Sequence, residues 1–228
     1  MDNSDKKSGL HVSFVPDGNR RFAKLNNKTV TEIYEHENTL LEKVIFELDD
    51  FPEVSEITFY VCSRDNLTKR NPEYILTLFN FLRQQCNKWL TRDCSFKLKC
   101  VGSYKQHLPE DLIELLNKLE EKTQDNTRRR INLAIGYDGQ QEIVDAVQEL
   151  LKTGTTIDTE AISKALSVNR PIDLVIRTGK EKRTSSFFPW QTVYSEWFFE
   201  DIMWPEFTID DFRRILKEFN QRERRFGK

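Results

Sequence analysis

Three short polar segments of this 228-residue chain have the composition of phosphate-binding turns. The first is Pro16-Asp17-Gly18-Asn19-Arg20-Arg21-Phe22, which follows directly on the apolar run His11 to Val15. Gly18 permits a tight turn or a close backbone approach. Asn19 is placed to cap a following helix, whose free N–H groups favour an anion. Arg20 and Arg21 add donors suited to phosphate oxygens. An acid among such groups makes chemical sense if a hard divalent cation links it to phosphate. The same residues also read as an ordinary strand–turn–helix with Asp17 and Asn19 as caps.

The second segment is Cys62-Ser63-Arg64-Asp65-Asn66, followed by Arg70, Pro72 and Glu73. Ser63, Asn66 and Arg70 read as a polar site or as caps of a helix starting near Pro72. The third, Arg177 to Trp190, gathers arginines, lysines, hydroxyls and a glycine at the end of the run Ile172 to Ile176, as a diphosphate cradle requires. A solvated loop does not account for the bulky Phe187, Phe188 and Trp190 directly behind it. Glu196 then falls within the apolar run Val193 to Phe199 and needs a cation, either a metal or an arginine.

These turns need a frame. His11 to Val15, Glu56 to Cys62, Phe96 to Val101, Ile131 to Ile135 and Ile172 to Ile176 read as buried strands, with Val193 to Phe199 as a sixth. Helical spacing links Leu40, Leu41, Val44, Ile45 and Leu48; a second set runs from Ile75 to Trp89, a third from Leu112 to Leu119, and a fourth from Ile143 to Leu151. A last helix starts near Ile209. Strands separated by helices predict an α/β domain, with a mainly parallel central sheet of about six strands flanked by helices. Ligands of such sheets gather beyond the carboxyl ends of the strands, where the three polar segments fall. Residues 1–9 read as a flexible tail and 10–228 as one domain.

Thirty-five basic residues against 37 acidic ones give a net charge of −2, so a nucleic-acid footprint is not expected. The cysteines Cys62, Cys86, Cys94 and Cys100 form no CxxC and have no His-rich company; they read as reduced, buried thiols of a cytoplasmic protein. No stretch approaches the roughly 20 apolar residues needed to span a bilayer.

Taken in order, these segments resemble the undecaprenyl diphosphate synthase (cis-prenyltransferase) family. His11 to Lys24 is similar to its opening H-V-x-x-x-M-D-G-N-x-R-W-A-K. Ser63, Asn66, Arg70 and Glu73 resemble S-x-E-N-W-x-R-x-x-x-E with a one-residue shift, and Gly136 to Ile143 resembles N-Y-G-G-R-x-E-I. Most specific is Pro171 to Gly179, continuing through Arg183, Ser185, Phe187, Trp190, Tyr194 and Glu196 to Trp204-Pro205; Arg225 and Gly227 match the closing R-x-G.

The resemblance implies a prenyltransferase that condenses isopentenyl diphosphate with an allylic prenyl diphosphate and releases diphosphate. It implies Mg²⁺ on Asp17, with Glu196 completing the metal site, in one reading across a dimer interface. Gly18, Asn19, Arg20, Arg21 and Phe22 would serve the allylic diphosphate, and His36 would fill the family's histidine position. Asn66, with Ser63, matches the place linked to proton removal, and Arg70 belongs to the same substrate-binding segment. Arg177, Arg183 and Ser185 would grip isopentenyl diphosphate; Arg225 and Gly227 would contact diphosphate, in the partner's site. A homodimer is implied, with peripheral membrane association through a lipid product. The apolar channel is expected among Leu41, Val44, Ile45, Leu48, Ile75, Phe79 and Leu82.

The chain departs from the pattern at Pro16, Phe22, Leu67, Asp138, Gln140 and Lys182, mostly on the allylic side. Two alternatives therefore stand beside elongation. One is irregular head-to-middle coupling of short units (lavandulyl-type), which Pro16-Asp17-Gly18 and Ser186-Phe187-Phe188-Pro189 resemble. The other is a non-catalytic subunit of a heteromeric enzyme.

Overall fold

A computed structural model describes residues 9–222, apart from the side chains of residues 30, 35–41 and 48. The expected flexible tail therefore lies, but for Gly9, outside the described residues.

Six strands form one sheet: β1 (Leu10–Val15), β2 (Val54–Ser63), β3 (Lys97–Val101), β4 (Arg130–Tyr137), β5 (Leu174–Arg177) and β6 (Glu196–Phe199). Their order is β3-β4-β2-β1-β5-β6, and every pairing is parallel. The helices are α1 (Asn19–Leu25), α2 (Val30–Phe46), α3 (Arg64–Lys69), α4 (Pro72–Thr91), α5 (Glu110–Thr123), α6 (Gly139–Lys152), α7 (Thr159–Ala165) and α8 (Ile209–Gln221). This is the expected α/β domain, with a sheet wholly rather than mainly parallel.

Strand pleating sends alternate residues to opposite faces. Val12 and Phe14 of β1, Ile57 and Phe59 of β2, and Ile131 and Leu133 of β4 join the larger core, with Val44 and Ile45 of α2, Leu82 and Trp89 of α4, Leu112 of α5 and Phe212 of α8. On the other face Val15, Ala134 and Val175 pack against Val168, Ile172, Phe187 and Phe188. Toward the strands' amino ends that second face turns polar. His11 Nε2 lies 2.8 Å from Thr58 Oγ1, and Asn132 Nδ2 donates to Thr58 Oγ1 (3.0 Å) and Glu56 Oε1 (2.7 Å). Burial pushes the His11 imidazole down to about 4, against the pull of Glu56.

Chain order reverses beside β1: β2 lies on one side of it, and β5, reached only after β4, on the other. A crevice opens at such a switch point beyond the carboxyl ends. Val15 pairs with Arg177 there, so the turns after β1 and β5 emerge side by side.

Several local expectations are corrected. Gly18, not Asn19, is the N-cap of α1, because the chain turns at φ 105° there and Asn19 is already helical. Ser63 caps the short α3, its Oγ accepting from Asn66 N at 3.0 Å, while Asn71 caps α4.

Candidate active site

The turn after β1 is fastened to the turn after β5 through backbone and side chain together. Asp17 N donates to Thr178 Oγ1 (3.0 Å), that hydroxyl donates to Asp17 O (2.9 Å), and Trp204 N donates to the same carbonyl (2.9 Å). Two glycines make the approach possible. A Cβ on Gly18 would sit 2.7 Å from that of Met203, and one on Gly179 (φ 87°) 2.8 Å from both Arg21 Nη2 and the Asp17 carbonyl carbon. Both positions also have left-handed backbone, which glycine adopts without steric cost.

Both oxygens of the partly exposed Asp17 carboxylate accept hydrogen bonds. Oδ1 accepts from Gly18 N (2.7 Å) and Arg21 Nη2 (3.2 Å), and Oδ2 accepts from Arg177 Nη2 (2.9 Å). Burial pushes this carboxyl up, but the Arg177 and Gly18 hydrogen bonds and the Arg177 and Arg21 charges outweigh it and hold it below its ordinary value. It is ionised at neutral pH.

Arg177 itself is only 4% exposed. Its Nη1 donates to Arg183 O and, at 2.9 Å, to Ser185 Oγ. The guanidinium thus ties Asp17 to the cradle loop, in which Lys180, Ser185 and Ser186 take left-handed backbone (φ 67°, 53° and 59°). Arg183 points outward and pairs with Glu181, whose other oxygen accepts from Arg21 at 3.4 Å. Glu181 therefore bridges the arginines of the two turns.

Around these groups opens a cavity of about 950 Å³. Asp17 to Arg21, Ser63, Asn66, Arg70, Arg177, Arg183 and Ser185 all line it, bringing together most of the residues singled out on sequence. Seven cationic side chains face four acidic ones, so the cavity is net positive and suits polyanions. Phe22 does not line it. The His36 side chain, Arg225 and Gly227 lie outside the described residues.

Glu196 is not brought to Asp17 within one chain. It opens β6 in register with Leu174, three residues short of the carboxyl end where Phe199 meets Arg177. Its cation is an arginine: Arg222 Nη1 lies 2.7 Å away and stacks its guanidinium 4.0 Å from the Phe198 ring centroid.

Sequence reasoning missed several cavity residues. Arg64 pairs with Asp138 at 2.6 Å, joining α3 to the N-cap of α6. Tyr34, Leu78, Phe81, Phe59 and Trp204 form an apolar compartment. The expected channel residues do not: Val44, Ile45, Phe79 and Leu82 are buried in the continuous core and Ile75 packs against it, while Leu41 and Leu48 lie outside the described side chains.

The residues fit a divalent cation in one particular way. Among the described residues no group of three or more His, Cys, Asp or Glu side chains could enclose a metal. Mg²⁺ instead uses one or two carboxylates together with substrate phosphates, which an ionised, partly exposed Asp17 beside a cationic cavity can supply.

The undecaprenyl diphosphate synthase (Prenyltransf) family model matches residues 15–227. The tritrans,polycis-undecaprenyl-diphosphate synthase (geranylgeranyl-diphosphate specific) of Sulfurisphaera tokodaii is 35% identical, covering 95% of this chain and 87% of that protein. A probable undecaprenyl diphosphate synthase from Campylobacter jejuni superposes with a TM-score of 0.77 at 28% identity, over 98% of this chain and 100% of the other. Lavandulyl diphosphate synthase from Lavandula x intermedia, solved with dimethylallyl diphosphate, gives a TM-score of 0.86 at 26% identity over the same shares. With its polar turns at the carboxyl ends of a parallel sheet, this chain belongs to the undecaprenyl diphosphate synthase family of cis-prenyltransferases, enzymes that transfer prenyl groups.

Proposed function

We propose that this chain joins isopentenyl diphosphate to an allylic prenyl diphosphate in the cavity around Asp17. The observation that carries the reading is the ionised Asp17 set among Arg21, Arg177 and a net-positive cavity with an apolar compartment behind it. In the reaction the allylic C–O bond breaks and diphosphate leaves with the bonding electron pair. The double bond of isopentenyl diphosphate forms the new C–C bond, and loss of one proton restores an alkene. Charge grows on the leaving diphosphate, so fixed donors aimed at it lower the barrier.

The roles divide by position. Arg20, Arg21 and the N–H groups at the start of α1 serve the allylic diphosphate; Arg183 and Ser185 serve isopentenyl diphosphate, on a loop that Arg177 braces. Asn66 and Ser63 sit across the cavity, where the proton leaves. Asp17 would hold Mg²⁺, which when bound supplies positive charge to the diphosphate oxygens. Glu196, at the far end of β6, would reach a metal only in a partner's site. Val193 and Tyr194 just before β6, 66% and 71% exposed, favour a homodimer over that edge. No helix among the described residues is long and apolar enough to cross a membrane. A cytoplasmic enzyme meeting membranes only through its product fits the reading, as does one domain from residue 10 to 228.

Retention of Asp17, Arg21, Asn66, Arg177 and Arg183 in one cavity weighs against a non-catalytic subunit. The TM-score of 0.86 to lavandulyl diphosphate synthase favours irregular coupling as the second reading. Incubation with labelled isopentenyl diphosphate, Mg²⁺ and allylic primers of five to twenty carbons tests both. Elongated products are expected, and a branched ten-carbon product from the five-carbon primer alone selects the second reading. No turnover with any substrate would sink both.

A further inference from the structure

α6 begins at the cavity wall, yet its first N–H groups are already taken. Asp138 Oδ1 accepts from Gln140 N (3.1 Å) and Gln141 N (3.3 Å), and Gly139 N donates to Ser186 O (3.2 Å). Gln140 N also reaches Ser186 Oγ at 3.3 Å. The start of a helix favours an anion, and here the protein supplies that anion itself. Phosphate recognition on this wall must therefore come from side chains.

The side chain that stands there is Arg64, the first residue of α3. Its Nη2 lies 2.6 Å from Asp138 Oδ2, and its Nη1 donates to Gln141 Oε1 at 3.4 Å. Asp138 is pinned through Oδ1, and Ser63 caps α3 just before Arg64, so both ends of the pair are anchored. The arginine side chain is 39% exposed, and Arg64, Asp138, Gln140, Ser185 and Ser186 all line the cavity. A guanidinium engaged through its two Nη atoms keeps further N–H donors for a ligand. Arg64 reaches from α3 to the cradle side: the α6 turn that holds it is bonded to Ser186, next to the Ser185 whose Oγ accepts from Arg177.

We propose that Arg64 binds the diphosphate of isopentenyl diphosphate, with Asp138 fixing its orientation. This rests on the prenyl-coupling reading and adds a specificity-determining residue to the isopentenyl side of the cavity. Asp138 alone would repel a diphosphate; paired, its charge is cancelled and its second oxygen sets the plane of the guanidinium. Arginine suits the place because its planar fork holds Asp138 and Gln141 while presenting other donors, which an ammonium cannot do.

The test is a double-mutant cycle with Asp138→Asn, which removes the charge but keeps an oxygen to cap α6. The pair is partly exposed, so all variants are expected to fold, as checked by thermal unfolding. Arg64→Ala is expected to raise KM for isopentenyl diphosphate about tenfold or more, and KM for the allylic primer by less than about twofold. Arg64→Lys should fall between Arg64→Ala and the unmodified protein. Adding Asp138→Asn to Arg64→Ala should recover only part of the loss, because the donors of Arg64 are still missing. Full recovery would overturn the proposal and leave Arg64 as a mere neutraliser of Asp138. An unchanged KM for isopentenyl diphosphate in Arg64→Ala would overturn it too, as would an equal rise for the allylic primer. Absence of any coupling in the unmodified protein overturns the underlying reading instead. Titration with inorganic diphosphate then still decides on Arg64, since Arg64→Ala must weaken its binding.

Discussion

Arg177 and Asp17 are joined across the two strands where chain order reverses, Nη2 to Oδ2 at 2.9 Å, with the guanidinium buried and the carboxylate partly exposed. Arginine's fork lets one buried cation serve both turns: Nη2 faces Asp17, and Nη1 faces Arg183 O and Ser185 Oγ. A lysine at this position keeps the charge but has no fixed fork to span both.

Arg177→Lys is therefore expected to fold and to lose about 100-fold or more in kcat/KM, on the scale of removing one preorganised donor. Arg177→Ala should also lower unfolding stability by about 1–3 kcal/mol, because it removes charge-assisted hydrogen bonds from a buried guanidinium to Asp17, Arg183 O and Ser185 Oγ. The carboxylate gives a separate readout. Arg177 lowers the Asp17 pKa, so removing it raises that pKa and moves the acid limb of residual activity to higher pH. A pH–rate profile with an unmoved acid limb would sink the assignment.

The strands were the legible part of the fold. A parallel sheet covered on both faces writes its strands as continuous apolar runs, and Phe14, Phe59 and Leu133 lie in such runs. The short helices were not legible. α3 has six residues and buries only Leu67, while α7 buries none, so neither carries a helical stripe. Within the site, Asp17, Arg177 and Ser185 were readable as types at strand ends. That Arg177 turns inward was not, since orientation follows from register with Val15 rather than from neighbours in sequence. Glu181 was hidden among Lys180, Lys182 and Arg183, where an acid reads as surface charge balance. The cavity wall failed for a related reason: helical periodicity marks residues that face inward, but both core and cavity lie inward. Val44 and Tyr34 share that signal, and only packing separates them.

His11 supplies a pH prediction independent of catalysis. Its ring is fully buried between Thr58 and the Pro171 carbonyl, with Glu56, Asp173 and Arg170 acting on it electrostatically. Burial favours the neutral ring and places its pKa at about 4, against 6.5 unfolded. Between those values the unfolded chain binds the extra proton, so stability from this group is fully present above pH 6.5 and is lost as pH falls toward 4. The loss should approach about 3 kcal/mol by pH 4. His11→Asn is expected to be less stable at pH 7 and to flatten the decline between pH 6.5 and 4, measured by urea unfolding across pH. Parallel stability curves for the two proteins would contradict it.

Ser185 separates backbone strain from hydrogen bonding in the cradle. Its backbone is left-handed at φ 53°, and its Oγ accepts from the buried Arg177 Nη1. A non-glycine residue in that region carries roughly 1–2 kcal/mol of strain, largely relieved by glycine. Ser185→Ala removes the acceptor and keeps the strain, so it should cost about 1–3 kcal/mol of stability. Ser185→Gly removes the same acceptor but relaxes the backbone, at an entropic cost of up to about 1 kcal/mol in the unfolded chain. The glycine variant is therefore expected to be the more stable of the two by about 0.5–1 kcal/mol. Both should raise KM for isopentenyl diphosphate, because the hydroxyl is gone in each. Urea unfolding and steady-state kinetics on the pair check the two halves separately. If Ser185→Ala proves more stable than Ser185→Gly, the loop is not strained at this residue. If KM is unchanged in both, Ser185 braces Arg177 without touching substrate.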